Sequence, residues 1–127
     1  MKKVEYATMA ARERMYWWHL GRLKIIEIYL KRALGKTKKA KLLNIGCGTG
    51  GTVDMLENFG RVDNVDISED AIKFMKQNGY KHVTKVDDIR LPFKDKTYDI
   101  VGAFDVLEHI DKHINALREW KRVLKDD

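Results

Sequence analysis

Residues 42–51 read Leu-Leu-Asn-Ile-Gly-Cys-Gly-Thr-Gly-Gly, an apolar strand that empties into a loop where glycine nearly alternates. Glycine enters positive φ without a Cβ penalty and lets a backbone come close to a ligand. A strand that turns this way into a helix start is suited to holding something small and polar against main-chain N–H groups. The loop fixes the broad class, and the residues after it must select the ligand.

The rest of the chain supplies the frame. Lys41–Ile45 reads as a strand, Gly46–Gly51 as the loop, and Thr52–Phe59 as a short helix with Val53, Leu56 and Phe59 on one side, stopped by Gly60. Arg61–Ile67 reads as a second strand ending at Asp66. Ser68 is an N-cap residue, and Glu69 and Asp70 suit the helix start it introduces. That helix carries Ile72, Phe74 and Met75 and stops at Asn78-Gly79. His82–Val86 is a third strand, Asp87–Thr97 a loop with the single proline, Pro92, and Tyr98–Phe104 a fourth strand. A last helix spans Asp111–Leu124, with Ile114, Leu117 and Val123 as its inner face. Strands alternating with helices predict an α/β fold, a Rossmann-like parallel sheet with helices on both faces. Ligands of such sheets bind beyond the carboxyl ends of the strands, where strand order reverses.

Upstream, Thr8–Leu34 reads as a helix, with Met15, Leu23, Ile26 and Leu30 at helical spacing and Gly35 as its stop. Residues 1–40 form a helical segment and basic linker, and 41–127 the core, of one domain. The run Lys36-Thr37-Lys38-Lys39-Ala40-Lys41 supplies much of the +6 net charge. It holds no aromatic residue to stack on bases, so it reads as a solvated linker rather than a nucleic-acid site. A charged fraction of 35% and the lack of a long apolar run argue against membrane insertion. The single cysteine, Cys47, excludes an internal disulfide and fits a reducing compartment, so the expected location is the cytoplasm.

Gly46, Gly48 and Gly51 satisfy the dinucleotide fingerprint G-x-G-x-x-G, with Asp66 placed where an acid holds a ribose hydroxyl. Gly46, Gly48 and Gly50 also satisfy G-x-G-x-G. Loop and acid together establish a nucleoside-like ligand and leave its identity open.

Four segments then act together: Leu43-Asn44-Ile45-Gly46-Cys47-Gly48-Thr49-Gly50, Val65-Asp66-Ile67-Ser68, Asp87-Asp88-Ile89-Arg90-Leu91-Pro92-Phe93 with Thr97-Tyr98-Asp99-Ile100-Val101, and Phe104-Asp105-Val106-Leu107-Glu108-His109. In this order and spacing, residues 41–125 resemble the class I S-adenosylmethionine-dependent methyltransferases, in the type 11, ubiquinone-biosynthesis-like group of small-molecule enzymes. The resemblance implies S-adenosylmethionine as cofactor and S-adenosylhomocysteine as product. It implies that the loop residues Gly46, Cys47, Gly48 and Gly50 approach the methionine tail and ribose. Asp66 would accept from both ribose hydroxyls, and Asp87 or Asp88 from the adenine amino group. Ile67 and Ile89 would sandwich the ring, and Phe104 would line the pocket near the sulfur. Many members carry an acid at Asn44, where it helps bind the methionine amino group. Asn44 keeps an accepting carbonyl without the charge.

Other signals favour plain roles. Cys47 reads as a small side chain packed under the loop rather than a nucleophile. His109 and His113 lack the glutamate a metalloprotease helix needs, since Ile110 stands there, so no metal is expected. Glu108 and His109 read as helix-start residues, and no catalytic residue is assigned. The aromatic stretch Tyr16-Trp17-Trp18 reads as packing, with capping of the pocket as the sharper alternative.

Full-length relatives continue past Lys125-Asp126-Asp127 with a glycine turn and three more strands, so the expected fold is C-terminally shortened. Tyr98–Phe104 would then be an apolar edge, which predicts a homodimer across it. The expected activity is direct methyl transfer to a small molecule. The alternatives are a non-catalytic cofactor-binding module or half of a split methyltransferase, and then an NAD-dependent oxidoreductase.

Overall fold

The computed structural model describes residues 5–10, 17–35, 39–48, 50–87, 89–104 and 111–126, with backbone alone for 17–19. Asp88, Glu108, His109, Met15, Tyr16 and the first half of the lysine run, residues 36–38, lie outside the described residues, as do the Trp17 and Trp18 side chains. After a helical stretch at residues 5–10, the elements are α1 (Trp17–Leu34), β1 (Ala40–Ile45), α2 (Val53–Leu56), β2 (Gly60–Asp66), α3 (Glu69–Gln77), β3 (Val83–Lys85), β4 (Ile100–Ala103) and α4 (His113–Val123).

Local chemistry sets several boundaries. Gly35 stops α1 at φ +65, with its N–H donating to the Lys31 carbonyl at 2.9 Å. Ser68 caps α3, its Oγ accepting from the Ala71 N–H at 3.2 Å, and Gly79 follows the helix at φ +84. The helix expected over 52–59 shortens to Val53–Leu56, and turns carry the chain on to Phe59. Gly60 does not end that helix: it opens β2.

All strand pairs are parallel, in the order β3-β2-β1-β4. Strand order therefore reverses between β1 and β4, and the glycine loop leaves β1 at that point. Alternation along β1 divides the core. Leu42 joins Leu30, Val53, Leu56, Val62, Ile72 and Met75 on the face covered by α1, α2 and α3. Leu43 and Ile45 join Val65, Leu91, Tyr98 and Val123 on the face covered by α4. Tyr98 is buried, sets its ring edge-on to Phe93, and donates from its hydroxyl to Asp63 Oδ2 at 2.6 Å. Burial raises its pKa first, and the neighbouring carboxylate adds to this.

The α4 face differs from expectation. Ile114 and Leu117 are 66% and 48% exposed, while Ala116, Trp120 and Val123 turn inward. Those three share an i, i+4, i+7 stripe, and a helix can offer only one such stripe to a sheet. Only part of the β4 edge is open. At its start the chain covers itself, with the Tyr98 N–H donating to the Val123 carbonyl and the Lys125 N–H to the Tyr98 carbonyl.

The tightest backbone approach is at Gly60. It has φ +153, and a Cβ there would lie 1.9 Å from the Ala40 carbonyl oxygen. Gly60→Ala must force β1 and β2 apart at their first paired residues. We expect a loss of about 3 kcal/mol or more in urea unfolding; a loss below ~1 kcal/mol would show that the strands relax freely.

Candidate functional site

The site grows from the turn after β1. Gly46, Gly48 and Gly50 all have positive φ, at +71, +53 and +80. A Cβ on Gly50 would sit 2.7 Å from Met75 Sδ and 3.0 Å from the Tyr80 ring, so the loop lies flat against α3 and the turn after it. The direction of the loop N–H groups departs from expectation. Gly46 and Cys47 both donate to the Val65 carbonyl, at 2.9 and 3.1 Å, and Gly50 to the Cys47 carbonyl at 2.9 Å. Gly48 donates to Asp66 Oδ2 at 3.0 Å. These four N–H groups face protein acceptors, so the loop is not the anion cradle its composition suggests. The helix after it, Val53–Leu56, is a single turn.

Asp66 ends β2 and ties the crevice together. Oδ2 takes the Gly48 N–H, and Oδ1 takes the Ser68 N–H at 2.8 Å. Each carboxylate oxygen has a second lone pair, so the group can still accept two hydroxyls. Beside it, Tyr6 is buried, stacks on Phe74 with centroids 6.3 Å apart, and donates to Ser68 Oγ at 2.8 Å. Residues 5–10 are thereby docked on the β2–α3 turn.

A cavity of about 390 Å³ opens at the carboxyl ends of β1 and β2 and runs beneath the loop after β3 toward α4. Of the residues expected from sequence, it brings together Gly46, Asp66, Ile67, Asp87 and Ile89. Asp87 is exposed and bonded to Lys85 Nζ at 3.0 Å, and Ile67 is exposed at the rim. Cys47, Gly48 and Gly50 support the loop from outside the cavity lining. Cys47 is buried; desolvation and then the nearby Asp66 charge push its thiol up to about 12, which suits the packing role and not a nucleophile.

Two expected residues turn elsewhere. Asn44 shares the Leu42 face of β1, is buried, and donates from Nδ2 to Asn64 Oδ1 at 3.2 Å across the β1–β2 pair. Phe104 packs against the core on that same face, its ring over Gly102, so a Cβ on that glycine would lie 2.8 Å from the ring. Sequence reasoning missed Asp111, Lys112, Ala116 and Trp120, which bring the wall in from α4. The Ala116–Trp120–Val123 spacing was the signal that could have found them.

Three carboxylates, Asp66, Asp87 and Asp111, face one lysine, Lys112, around this largely apolar cavity. Those acceptors fit an adenosyl sulfonium, which brings positive charge, a flat base and ribose hydroxyls that donate. A pyrophosphate would meet carboxylates at the cavity and no free N–H among the four named loop groups.

Comparison with known proteins agrees. Residues 43–127 match the family model described as "Methyltransferase domain". The chain is 35% identical over 101 residues to an uncharacterized protein of Methanocaldococcus jannaschii, covering 80% of this chain and 43% of that one. It is 31% identical over 110 residues to a demethylmenaquinone methyltransferase of Staphylococcus aureus, covering 78% and 46%. The chain thus spans under half the length of both relatives. The fold is shared with a SAM-dependent methyltransferase structure from Aquifex aeolicus, at TM-score 0.70 and 18% identity, over 98% of this chain and 68% of that one. The chain belongs to the methyltransferase domain family, with the fold of the class I S-adenosylmethionine-dependent enzymes.

Proposed function

We propose that this chain binds S-adenosylmethionine across the top of the sheet and directs its methyl group to a small-molecule acceptor by direct displacement. The observation that supports this most is the Asp66 carboxylate, anchored by two backbone N–H groups yet lining the cavity. When bound, the cofactor supplies a methyl group on a sulfonium, which needs no covalent enzyme intermediate. In this reading Asp66 accepts from both ribose hydroxyls. Asp87, or Asp88 beside it, accepts from the adenine amino group, and Ile67 and Ile89 flank the ring. The backbone of Gly46, Cys47, Gly48 and Gly50 shapes the floor under the methionine tail, with Asn44 braced behind it and Phe104 beyond the last strand. No side chain is assigned to proton transfer, so rate acceleration rests on positioning. Residues 41–127 form the binding core, and 1–40 a helical segment and linker.

The whole protein's activity is part of the proposal. A non-catalytic cofactor-binding module, or a cofactor-binding half that needs a second polypeptide, is the alternative reading. A nicotinamide enzyme is disfavoured by the engaged loop N–H groups.

Calorimetric titration should show S-adenosylhomocysteine binding and NAD failing to bind; the reverse would overturn the reading. Asp66→Asn should weaken S-adenosylhomocysteine by ~1.5–3 kcal/mol, about 10- to 150-fold in Kd, through the loss of charge-assisted bonds. Unchanged affinity would remove the ribose role.

Tyr6 docked beside Asp66 supports a capping role for the N-terminal segment. Deleting residues 1–20 should then reduce S-adenosylhomocysteine affinity more than it reduces melting temperature. Equal loss of both would mark simple packing.

The edge of β4 over Ile100–Ala103 has no strand beside it among the described residues, and we propose that a second copy pairs there. Light scattering at micromolar concentration should report a dimer; a monomer would end this proposal.

A further inference from the structure

The loop after β3 forms one wall of the cavity without regular secondary structure. Asp87, Ile89 and Leu91 line the cavity from that loop, and Ala116 and Trp120 face them from α4. A loop wall keeps its place only if its main-chain groups find partners. Here the partners come from α4. The Leu91 N–H donates to Glu119 Oε2 at 2.6 Å. The Leu91 carbonyl accepts from Arg122 Nη2 at 3.1 Å, and the Phe93 carbonyl from Arg122 Nη1 at 2.9 Å. Glu119 and Arg122 also bind each other, Nε to Oε1 at 2.7 Å and Nη2 to Oε2 at 2.8 Å. Arg122 Nη1 reaches Asp95 Oδ1 at 2.6 Å on the exposed side.

The Leu91 backbone is therefore gripped on both its N–H and its C=O by one ion pair. Its side chain is buried and belongs to both the core and the cavity lining. The same helix carries Trp120 next to Glu119, so one element sets both sides of the gap. A guanidinium is suited to this because its planar fork can serve a carboxylate and two carbonyls at once, which an ammonium cannot.

We propose that Arg122 and Glu119 are positioning residues for the nucleoside end of the cavity: they fix the distance between the 87–93 loop and α4 and hold Asp87 and Ile89 in register with the base. Neither is assigned contact with ligand. The bracket is unaffected over ordinary assay pH, since hydrogen bonding from Arg122 holds Glu119 down at about 2. The inference rests on the cofactor reading given above.

The test compares S-adenosylhomocysteine with S-inosylhomocysteine, whose base lacks the amino group, by calorimetry well below the melting temperature of each variant. Wild type should prefer the adenine compound. Arg122→Lys, which keeps charge and loses the fork, should weaken S-adenosylhomocysteine at least fivefold and shrink the adenine-to-hypoxanthine ratio at least threefold. A role in stability alone would lower the melting temperature and leave that ratio unchanged. Asp95→Ala removes only the exposed contact of Arg122 and should leave affinity and ratio within twofold. If Arg122→Lys does not fold, Glu119→Gln, which keeps an acceptor for the Leu91 N–H, serves instead with the same expectations. A ratio within twofold of wild type in the folded variant overturns the inference. Wild type that binds neither compound overturns the cofactor reading itself, and this inference with it.

Discussion

The Asp66 carboxylate joins three pieces of chain that sequence keeps apart. Its oxygens take the N–H of Gly48 from the loop after β1 and the N–H of Ser68 from the start of α3. Ser68 in turn caps α3 and receives the Tyr6 hydroxyl from the N-terminal stretch. Removing the charge would weaken the hold on two backbone donors at the lip of the cavity, quite apart from any effect on a bound ribose. The parallel sheet makes the arrangement possible. It sets β1 and β2 in register from Ala40 and Gly60 to Ile45 and Val65, so loop and acid emerge side by side.

Engagement of the loop N–H groups changes what a glycine-rich turn means here. In a phosphate-binding loop the positive-φ glycines turn N–H groups outward toward an anion. Here positive φ at Gly46, Gly48 and Gly50 folds those groups back on Val65, Asp66 and Cys47. The loop then contributes close approach and shape, while charge comes from the carboxylates around the cavity. Glycine spacing alone does not distinguish these outcomes, since both need the same backbone freedom.

That difference marks the limit of what could be read from residues alone. Ser68 as cap, and Gly35 and Gly79 as helix ends, were legible because each depends on chemistry within a few residues, and the parallel sheet was legible because strands and helices alternate along the chain. Asp66 was legible as the acid that ends β2, from the strand pattern and its spacing after Gly46. The inward stripe of α4 was not legible: apolar residues at 114, 117, 120 and 123 allow two faces, and packing on Tyr98 and Val65 selects one. The shortness of α2 was likewise hidden, because Gly60 must come against the Ala40 carbonyl to start β2 and the helix has to end early to reach it.

Asn44 follows from the same constraint of neighbours. Its side chain points to the face holding Leu42, not to the cavity, and its amide meets Asn64 at the paired position on β2. A carboxylate in that buried spot would face the Asn64 oxygen, and burying a charge against another acceptor is costly. Asparagine at both positions satisfies the pair across the strands without charge. The acidic character of the cavity comes instead from Asp66, Asp87 and Asp111, which line it and are less buried than Asn44. The carboxylates of the cavity lining are thus distinct from the buried, uncharged Asn44–Asn64 pair, which keeps the sheet interior neutral.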